Sequence, residues 1–395
     1  YEYSLREFNA PKLRDVSTLL KVEYNNIEKF LLPNLRYGGR SSGAISNNEN
    51  LNELDLSSLE GNNYGCCGEF KIDNNDSLIE INLDSFYKHR RGDKGDHYEF
   101  RIYENLNLKR IHFGADLDFE AHIRIYGNEN LEEINFTKIT NVQSGQIEIN
   151  NNQSLKKITF ESLKSSNYVK DQEQWIEPSI FILNNIILEE INMPSLEDFY
   201  KITIKNNESL PEIIFPELTT VHKNLTIQNN ANLSKVHMPK LETTGDKVYN
   251  SNSFNLYSNQ TLNDINFDSL HKVYTSLTVE NNQQLDLNDF PCNLFVLVND
   301  GLDCTFGDIN VSNNQDDTYC FQDQSLIPPI DIQTVASFNI SSEQAQSGGT
   351  ITSFTKMKSR GVVWSTSPNP TIENDFFSEN GSLNGPYDSY MYNLQ

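Results

Sequence analysis

Apolar residues recur in a fixed pattern along the first three quarters of the chain. Each repeat carries one leucine or isoleucine, here called the anchor, and successive anchors lie 22 to 33 residues apart. The anchors are Leu5, Ile27, Leu51, Leu78, Leu108, Leu131, Leu155, Leu188, Leu210, Leu233, Leu262 and Leu285. Large apolar residues follow most anchors at the third, fifth and eighth positions. These intervals fit neither a continuous helix nor one long strand, so the repeat predicts stacked coils.

A short alternating run precedes each anchor, as in residues 202–205 (ITIK) and 225–228 (LTIQ). Alternation with β-branched residues predicts a half-buried strand, and we expect one strand per coil. Stacked coils would pair these strands in parallel and bury the inward side chains of each coil against its neighbours. The pattern therefore predicts an all-β protein built on a parallel β-coil solenoid of about 12 repeats, one for each anchor.

Most of these strands end in a pair of asparagines. The chain must turn there, and asparagine tolerates left-handed backbone angles while its amide bonds to neighbouring backbone groups. We therefore interpret one residue of each pair as part of a structural ladder: Asn48, Asn75, Asn152, Asn185, Asn207, Asn230 and Asn282. The NxS/T triplets mostly follow from the same consensus, so we expect them to accept glycans only in a eukaryotic source.

The consensus, clearest at residues 206–218 and 229–241, resembles the leucine-rich, β-helix-like coils of receptor L domains and related bacterial surface repeats. The resemblance covers about residues 1–310 and implies a binding module. Near the end of the chain, residues 360–372 (RGVVWSTSPNPTI) are similar to immunoglobulin- or fibronectin-like modules of large secreted proteins of Bacteroidota-type bacteria. In that family further strands follow, so we expect this last module to be truncated.

These patterns divide the chain into four expected segments. Residues 1–290 form the solenoid, 291–322 a C-terminal cap, 323–331 a linker, and 332–395 the immunoglobulin- or fibronectin-like module. The cap contains three cysteines that are candidates for one disulfide, with the pairing left open: Cys292, Cys304 and Cys320. No cysteine has CxxC spacing and no histidine pair has metal-ligand spacing, so we expect no metal site.

The outward positions of the predicted sheet supply the candidate binding site. If the residues eight and six before the anchor point inward, those seven and five before it point outward. Consecutive coils then stack cationic and aromatic side chains, and the predicted ligand-binding residues are Lys71, Arg101, Tyr103, Arg124, Tyr126 and Phe181. Aromatic faces beside hydrogen-bond donors suit sugar rings or a protein partner. The alternative is that these neighbours only stabilise the sheet.

Longer repeats carry their extra residues between the last apolar position and the next strand. All such loops should emerge along one edge, beside the candidate face. Further predicted ligand-binding residues in these loops are Arg90, Arg91, Tyr98 and Trp175.

Charge and composition limit the partners of the protein. The 395 residues include 31 Lys and Arg against 55 Asp and Glu, a net charge of -24, which argues against nucleic acid and anionic membranes. No segment approaches the roughly 18 consecutive apolar residues of a membrane helix. The first residues (YEYS) do not resemble an export signal. We expect a chain outside the cell or on its surface, with its signal removed and any anchor in flanking segments.

The sequence favours a non-catalytic binding or adhesion protein that recognises a glycan or protein ligand, or belongs to a larger surface assembly. No GxSxG, HExxH or glycine-rich phosphate loop is present, and we expect no cofactor. One alternative is a polysaccharide-active enzyme on a β-helix scaffold, since acidic pairs occur at residues 132–133 and 189–190. The other alternative is a structural stalk or filament component of the cell surface.

Overall fold

The structure, a computed structural model, is almost entirely β. It describes residues 5–39, 42–62, 69–86, 88–89, 99–114, 119–120, 122–166, 177–245, 253–291, 294–299, 304–306, 308–317, 331–341, 343–352, 360–365, 376–378 and 385–392. Within those residues, the single helical element is the short 3₁₀ helix Leu287–Asp289.

Twelve parallel strands form one continuous sheet, here called the long sheet. Its strands are Lys21–Glu23, Gly43–Ser46, Glu69–Asp73, Glu99–Tyr103, His122–Tyr126, Gln146–Asn150, Ser179–Leu183, Lys201–Lys205, Asn224–Gln228, Ser253–Tyr257, Ser276–Glu280 and Asp308–Ser312. Equivalent residues of successive coils pair with one another, as Ile102 does with Ile72 and Ile125. The prediction of an all-β parallel solenoid is confirmed.

Each coil has a second side that follows the anchor. Its strands are Glu7–Asn9, Lys29–Leu31, Glu53–Asp55, Glu80–Leu83, Arg110–Phe113, Glu133–Phe136, Lys157–Thr159, Glu190–Asn192, Glu212–Ile214, Lys235–His237 and Asp264–Asn266. The expectation of one strand per coil is therefore wrong. Apolar residues three and five places after the anchor lie two apart, which is the spacing that turns both side chains inward on a strand.

A third side closes the coils between the second side and the next strand of the long sheet. Its strands are Gly61–Asn62, Lys88–His89, Phe119–Glu120, Val142–Ser144, Asp198–Phe199, Thr220–Val221, Thr243–Thr244, Lys272–Tyr274, Phe295–Asn299 and Cys304–Phe306. The last of these is antiparallel to its neighbour. Residues of the segment expected to be a cap thus continue both this side and the long sheet.

The three sides enclose one apolar core that runs from Leu20 to Val296. Identical residues stack from coil to coil: the ring centroids of Phe113 and Phe136 lie 4.7 Å apart, and those of Phe136 and Phe160 lie 4.4 Å apart. Burying one such side chain stabilises the fold by about 1.5–3 kcal/mol. No coil encloses a core by itself, so this stabilisation depends on neighbouring coils.

A ladder of buried asparagines runs along the edge where the strands of the long sheet end. In each coil the asparagine Oδ1 accepts the backbone N–H of the equivalent asparagine one coil earlier, at 3.0 to 3.3 Å. The Nδ2 donates to a strand carbonyl of the preceding coil, as Asn152 does to Ile125 at 3.0 Å. The backbone N–H of each ladder asparagine and one strand carbonyl of its coil are thereby hydrogen bonded to the ladder asparagine of the next coil.

The ladder includes the seven predicted asparagines and four more, Asn105, Asn128, Asn259 and Asn314. The residue before each ladder asparagine takes a left-handed conformation, and it is Glu104, Gly127 or Ser258 where no asparagine pair is present. The sequence analysis missed the ladder asparagines that follow Glu104, Gly127 and Ser258 because it searched for asparagine pairs. The asparagine three residues before each anchor would have identified them.

The ladder ends at a carboxylate. Asp317 Oδ1 accepts both the backbone N–H of Asn314 and its Nδ2, in place of the asparagine of a further coil. The acidic turn at residues 314–317 therefore has a structural role at the end of the solenoid.

The C-terminal residues form antiparallel sheets, compatible with the predicted immunoglobulin-like module. One sheet contains Asp331–Phe338, Gln344–Thr352 and Gly385–Tyr392, and a second pairs Val363–Trp364 with Phe376–Phe377. Ile351 and Tyr387 form the core of this region together with the partly buried Val362. Gly361 belongs to the segment 360–372 that resembles these modules. A Cβ at this position would lie 1.9 Å from the Ser378 carbonyl oxygen, so the position requires glycine.

We predict that Asn152→Ala destabilises the solenoid by about 2–5 kcal/mol, because it leaves the buried N–H of Asn128 without an acceptor and the Ile125 carbonyl without one of its donors. Urea unfolding midpoints and hydrogen exchange at the Asn128 amide measure the effect. Gln153→Ala, a partly exposed neighbour, is the control and should change stability by less than about 0.5 kcal/mol. Equal midpoints for the two variants would contradict the proposed role of the ladder.

Candidate functional site

The register of the long sheet brings the predicted binding residues together. Arg101 lies between Lys71 and Arg124 in one outward row, and Tyr103 lies beside Tyr126 in the next. All of these side chains are partly exposed. We call this surface the sheet-face patch, and its residues are Lys71, Arg101, Tyr103, Arg124, Tyr126 and Phe181.

Two tyrosines form the aromatic centre of the sheet-face patch. The rings of Tyr103 and Tyr126 stack with centroids 4.9 Å apart and planes 4° apart. Lys71 Nζ lies 6.0 Å from the Tyr103 ring centroid and donates to its hydroxyl at 3.5 Å. Burial raises the pKa of both tyrosines, so both hydroxyls stay protonated at neutral pH and are able to donate hydrogen bonds.

The cations of the patch are paired with carboxylates, which corrects the expectation of a locally basic surface. Arg101 contacts Glu99 and also lies 3.1 Å from Glu69, while Arg124 lies 3.3 Å from Glu99 and 3.1 Å from Glu148. Since Asp73 lies 3.3 Å from the Lys71 ammonium, four carboxylates surround three cations. These ion pairs hold the guanidinium groups in fixed orientations.

Glu69 and Glu99 were missed from the sequence. Both occupy the position nine residues before the anchor, which faces outward on the same side of the strand as the arginine and tyrosine positions. The predicted outward rows included only the positions seven and five residues before the anchor. Extending the alternation by one more step would have identified both carboxylates.

Glu99 lies at the centre of this network. Burial alone would raise the pKa of its carboxyl group, but the hydrogen bond from Arg101 and the charges of Arg124 and Arg101 outweigh burial and lower the pKa below its ordinary value. His122, on the next strand, contributes in the same direction. The carboxylate therefore stays ionised and keeps both arginines paired at neutral pH.

Phe181 begins a second group of side chains on the same face. Lys201 Nζ lies 5.1 Å from the centroid of the Phe181 ring. Burial lowers the pKa of Lys201, as does the nearby charge of Lys223, while Glu177 opposes both effects. Glu177 is committed elsewhere, since its Oε1 accepts hydrogen bonds from Tyr200 and Lys223. Within the described residues, Lys201 has no ion pair.

Several predicted residues cannot be placed. Arg90, Arg91, Tyr98 and Trp175 lie outside the described residues, as do Cys292 and Cys320. Only the backbone of Cys304 is described, so the disulfide stays a prediction. Among the residues that the structure describes, no group of His, Cys, Asp and Glu side chains is arranged to hold a metal ion, and no helix there has the length and apolar character of a membrane span.

The acidic pairs considered for catalysis take part in ion pairs between coils. Glu132 lies 3.2 Å from the Lys109 ammonium, and Glu190 lies 3.0 Å from that of Lys157. Such exposed pairs typically contribute less than about 1 kcal/mol each, and here they join neighbouring coils on the second side.

Burial separates the NxS/T triplets into accessible and inaccessible sites. The asparagines of four triplets, Asn75, Asn152, Asn207 and Asn259, belong to the ladder and are fully buried. Asn232 is exposed. The folded solenoid therefore leaves Asn232 accessible to a glycan, whereas the four ladder asparagines would have to leave the core.

Comparisons of the chain with protein-family models, curated proteins and solved structures find no match. The resemblance to receptor L coils and immunoglobulin-like modules therefore stays a proposal. Since one fold serves many functions, the function is inferred from the side chains described above.

We predict that Glu99→Gln destabilises the protein at neutral pH, because it removes the charge that pairs with Arg101 and Arg124. A carboxylate whose folded pKa lies below its unfolded value of about 4.3 contributes stability above that pH and loses it as pH falls through the folded pKa. The difference in urea midpoint between wild type and variant should be largest near neutral pH and disappear in acid. Glu208→Gln is an exposed control, and a Glu99→Gln difference that is constant with pH would contradict the prediction.

We also predict that the Lys201 ammonium loses its proton at a lower pH than the other lysines of the solenoid. NMR titration of the ¹³C-dimethylated protein measures this directly. Lys223→Met should raise the pKa of Lys201, since it removes a like charge and frees Glu177 to act on Lys201. Lys240→Met removes a distant lysine and should have no effect. Titration of Lys201 together with the other lysines would contradict the prediction.

Proposed function

We propose that this protein is a non-catalytic binding or adhesion protein, secreted or held at the cell surface, that recognises a glycan or protein ligand through the sheet-face patch. The observation that carries the proposal is the stack of Tyr103 and Tyr126, partly exposed on a flat face and flanked by Arg101 and Arg124. Stacked aromatic rings beside hydrogen-bond donors offer an apolar surface and polar contacts to the same ligand.

The rigidity of the patch supports binding. The paired arginines and stacked tyrosines are already ordered before a ligand arrives, so association loses less side-chain entropy than it would on a mobile surface. The balance of charge favours a ligand that uses hydrogen bonds and ring stacking over one that depends on a high negative charge. Acidic groups of a ligand would find Lys201, near Phe181, whose ammonium has no carboxylate within ion-pair distance in the described chain.

The assignment of the two parts of the chain to known families is part of the same proposal. We infer that the solenoid is related to receptor L-like coils and that the C-terminal strands belong to an immunoglobulin- or fibronectin-like module of a secreted protein. The three-sided coil, the asparagine ladder and the antiparallel C-terminal sheets support this assignment. Both resemblances favour a place outside the cell.

The test is a glycan and protein array probed with the labelled full-length chain. Tyr103→Ala with Tyr126→Ala should weaken at least one specific glycan or protein signal about tenfold or more, which corresponds to about 1.4 kcal/mol. The matched control is Tyr257→Ala with Thr278→Ala, which removes side chains from the same outward rows in later coils. Unchanged binding by the patch variant, or equal loss in the control, would show that the ligand binds elsewhere.

A further inference from the structure

A groove lies along the edge of the solenoid where the strands of the long sheet end. It has a volume of about 570 Å³, within the range of about 300–1,000 Å³ that is typical of ligand sites. Its lining residues are Asn184, Ile186, Asn206, Glu208, Asn229, Ala231, Ser258 and Gln260.

The groove is formed by two repeated positions in four successive coils. One row consists of the left-handed residues that precede the ladder asparagines, including Asn206 at φ 58° and Asn229 at φ 53°. The other row lies two residues further along the chain and includes Glu208 and Ala231. Neighbouring strands lie about 4.8 Å apart, so three such steps give a groove roughly 14 Å long.

One end of the groove is already hydrogen bonded within the protein. Asn184 Nδ2 donates to Asn150 Oδ1 at 2.9 Å, and Asn206 Nδ2 donates to Asn184 Oδ1 at 2.7 Å. At the other end, the side chains of Asn229, Ser258 and Gln260 make no hydrogen bond to other described residues. These three side chains are therefore available to a ligand.

We propose that this groove binds a neutral glycan chain. Amide and hydroxyl side chains both donate and accept hydrogen bonds, which matches the hydroxyl groups of a sugar. Ile186, whose side chain is 38% exposed, and Ala231 supply apolar surface for the C–H face of a sugar ring. The only ionised lining residue is Glu208, whose carboxylate accepts hydrogen bonds from hydroxyls and repels acidic sugars.

The spacing of the rows favours a glycan over an extended peptide. A peptide strand repeats its same-face side chains about every 6.7 Å, whereas the groove repeats about every 4.8 Å. A peptide along the groove would therefore lose register within two coils. A glycan carries hydroxyl groups around every ring and requires no fixed register.

This site is separate from the tyrosine pair of the sheet-face patch, although Phe181 of the patch lies on the same coil as Asn184 and Ile186. The groove residues lie four and two positions before the anchors Leu188 to Leu262, on the turns that follow the strands. The patch tyrosines lie on the strands of earlier coils. A negative result for the groove would therefore leave the proposed function of the patch tyrosines unchanged, and the reverse also holds.

The test measures binding of neutral cello-, xylo-, manno- and malto-oligosaccharides to the full-length chain by calorimetry, with oligogalacturonate as the acidic comparison. Asn229→Gly with Gln260→Ala should weaken binding of the preferred neutral oligosaccharide at least tenfold. Glycine is chosen because it adopts the left-handed backbone without strain. The matched control, Asn47→Gly with Gln283→Ala, changes the same repeat positions outside the groove and should bind as wild type does.

A second variant blocks the groove without removing its polar groups. Ala231→Trp should abolish binding, whereas Gln283→Trp at the equivalent position should not. The proposal is overturned if no neutral oligosaccharide binds at millimolar concentration, if oligogalacturonate is preferred, or if groove variants with wild-type unfolding midpoints still bind normally. It is also overturned if only Tyr103→Ala with Tyr126→Ala removes neutral glycan binding, since the sheet-face patch would then be the site.

Discussion

The hydrogen bond between ladder asparagines of successive coils is the interaction on which the structure depends. A chain that turns at the end of every strand leaves backbone N–H and C=O groups inside the corner, and each unsatisfied group would cost about 1–3 kcal/mol. The ladder asparagine satisfies them with a single side chain, since its Oδ1 and Nδ2 bond to the coil before it. Because the same bond joins successive coils from Asn25 to Asn314, it also aligns each of these coils with the next.

That alignment explains how residues far apart in sequence come to share one surface. Arg101 and Arg124 are separated by a whole coil, yet their strands pair residue for residue, so both guanidinium groups reach the Glu99 carboxylate. A slip of one residue would turn the patch inward and expose the core. The buried ladder therefore positions the exposed chemistry, although it contacts none of it.

Much of the fold could be predicted because the repeat displays it many times. Inward and outward rows follow from alternation, and the observed register agrees with the predicted rows. The second side was missed although the apolar residues three and five places after the anchor have the spacing of a strand. Most strands of the third side have only two or three residues, too few to show a period. The pairing of Arg101 with Glu99 depends on side-chain reach, and the groove depends on how turns stack. Neither property is visible in a single repeat.

The net charge of -24 is easier to interpret once the ion pairs are known. Carboxylates around Arg101 and Arg124 belong to the candidate site, where they neutralise and orient the cations. Core and ladder positions cannot change without cost in every adjacent coil, whereas the outward rows and the row at the groove tolerate different residues. The proposed binding sites therefore lie in the exposed rows, where tyrosines, lysines and free amides occur on different coils of one uniform scaffold.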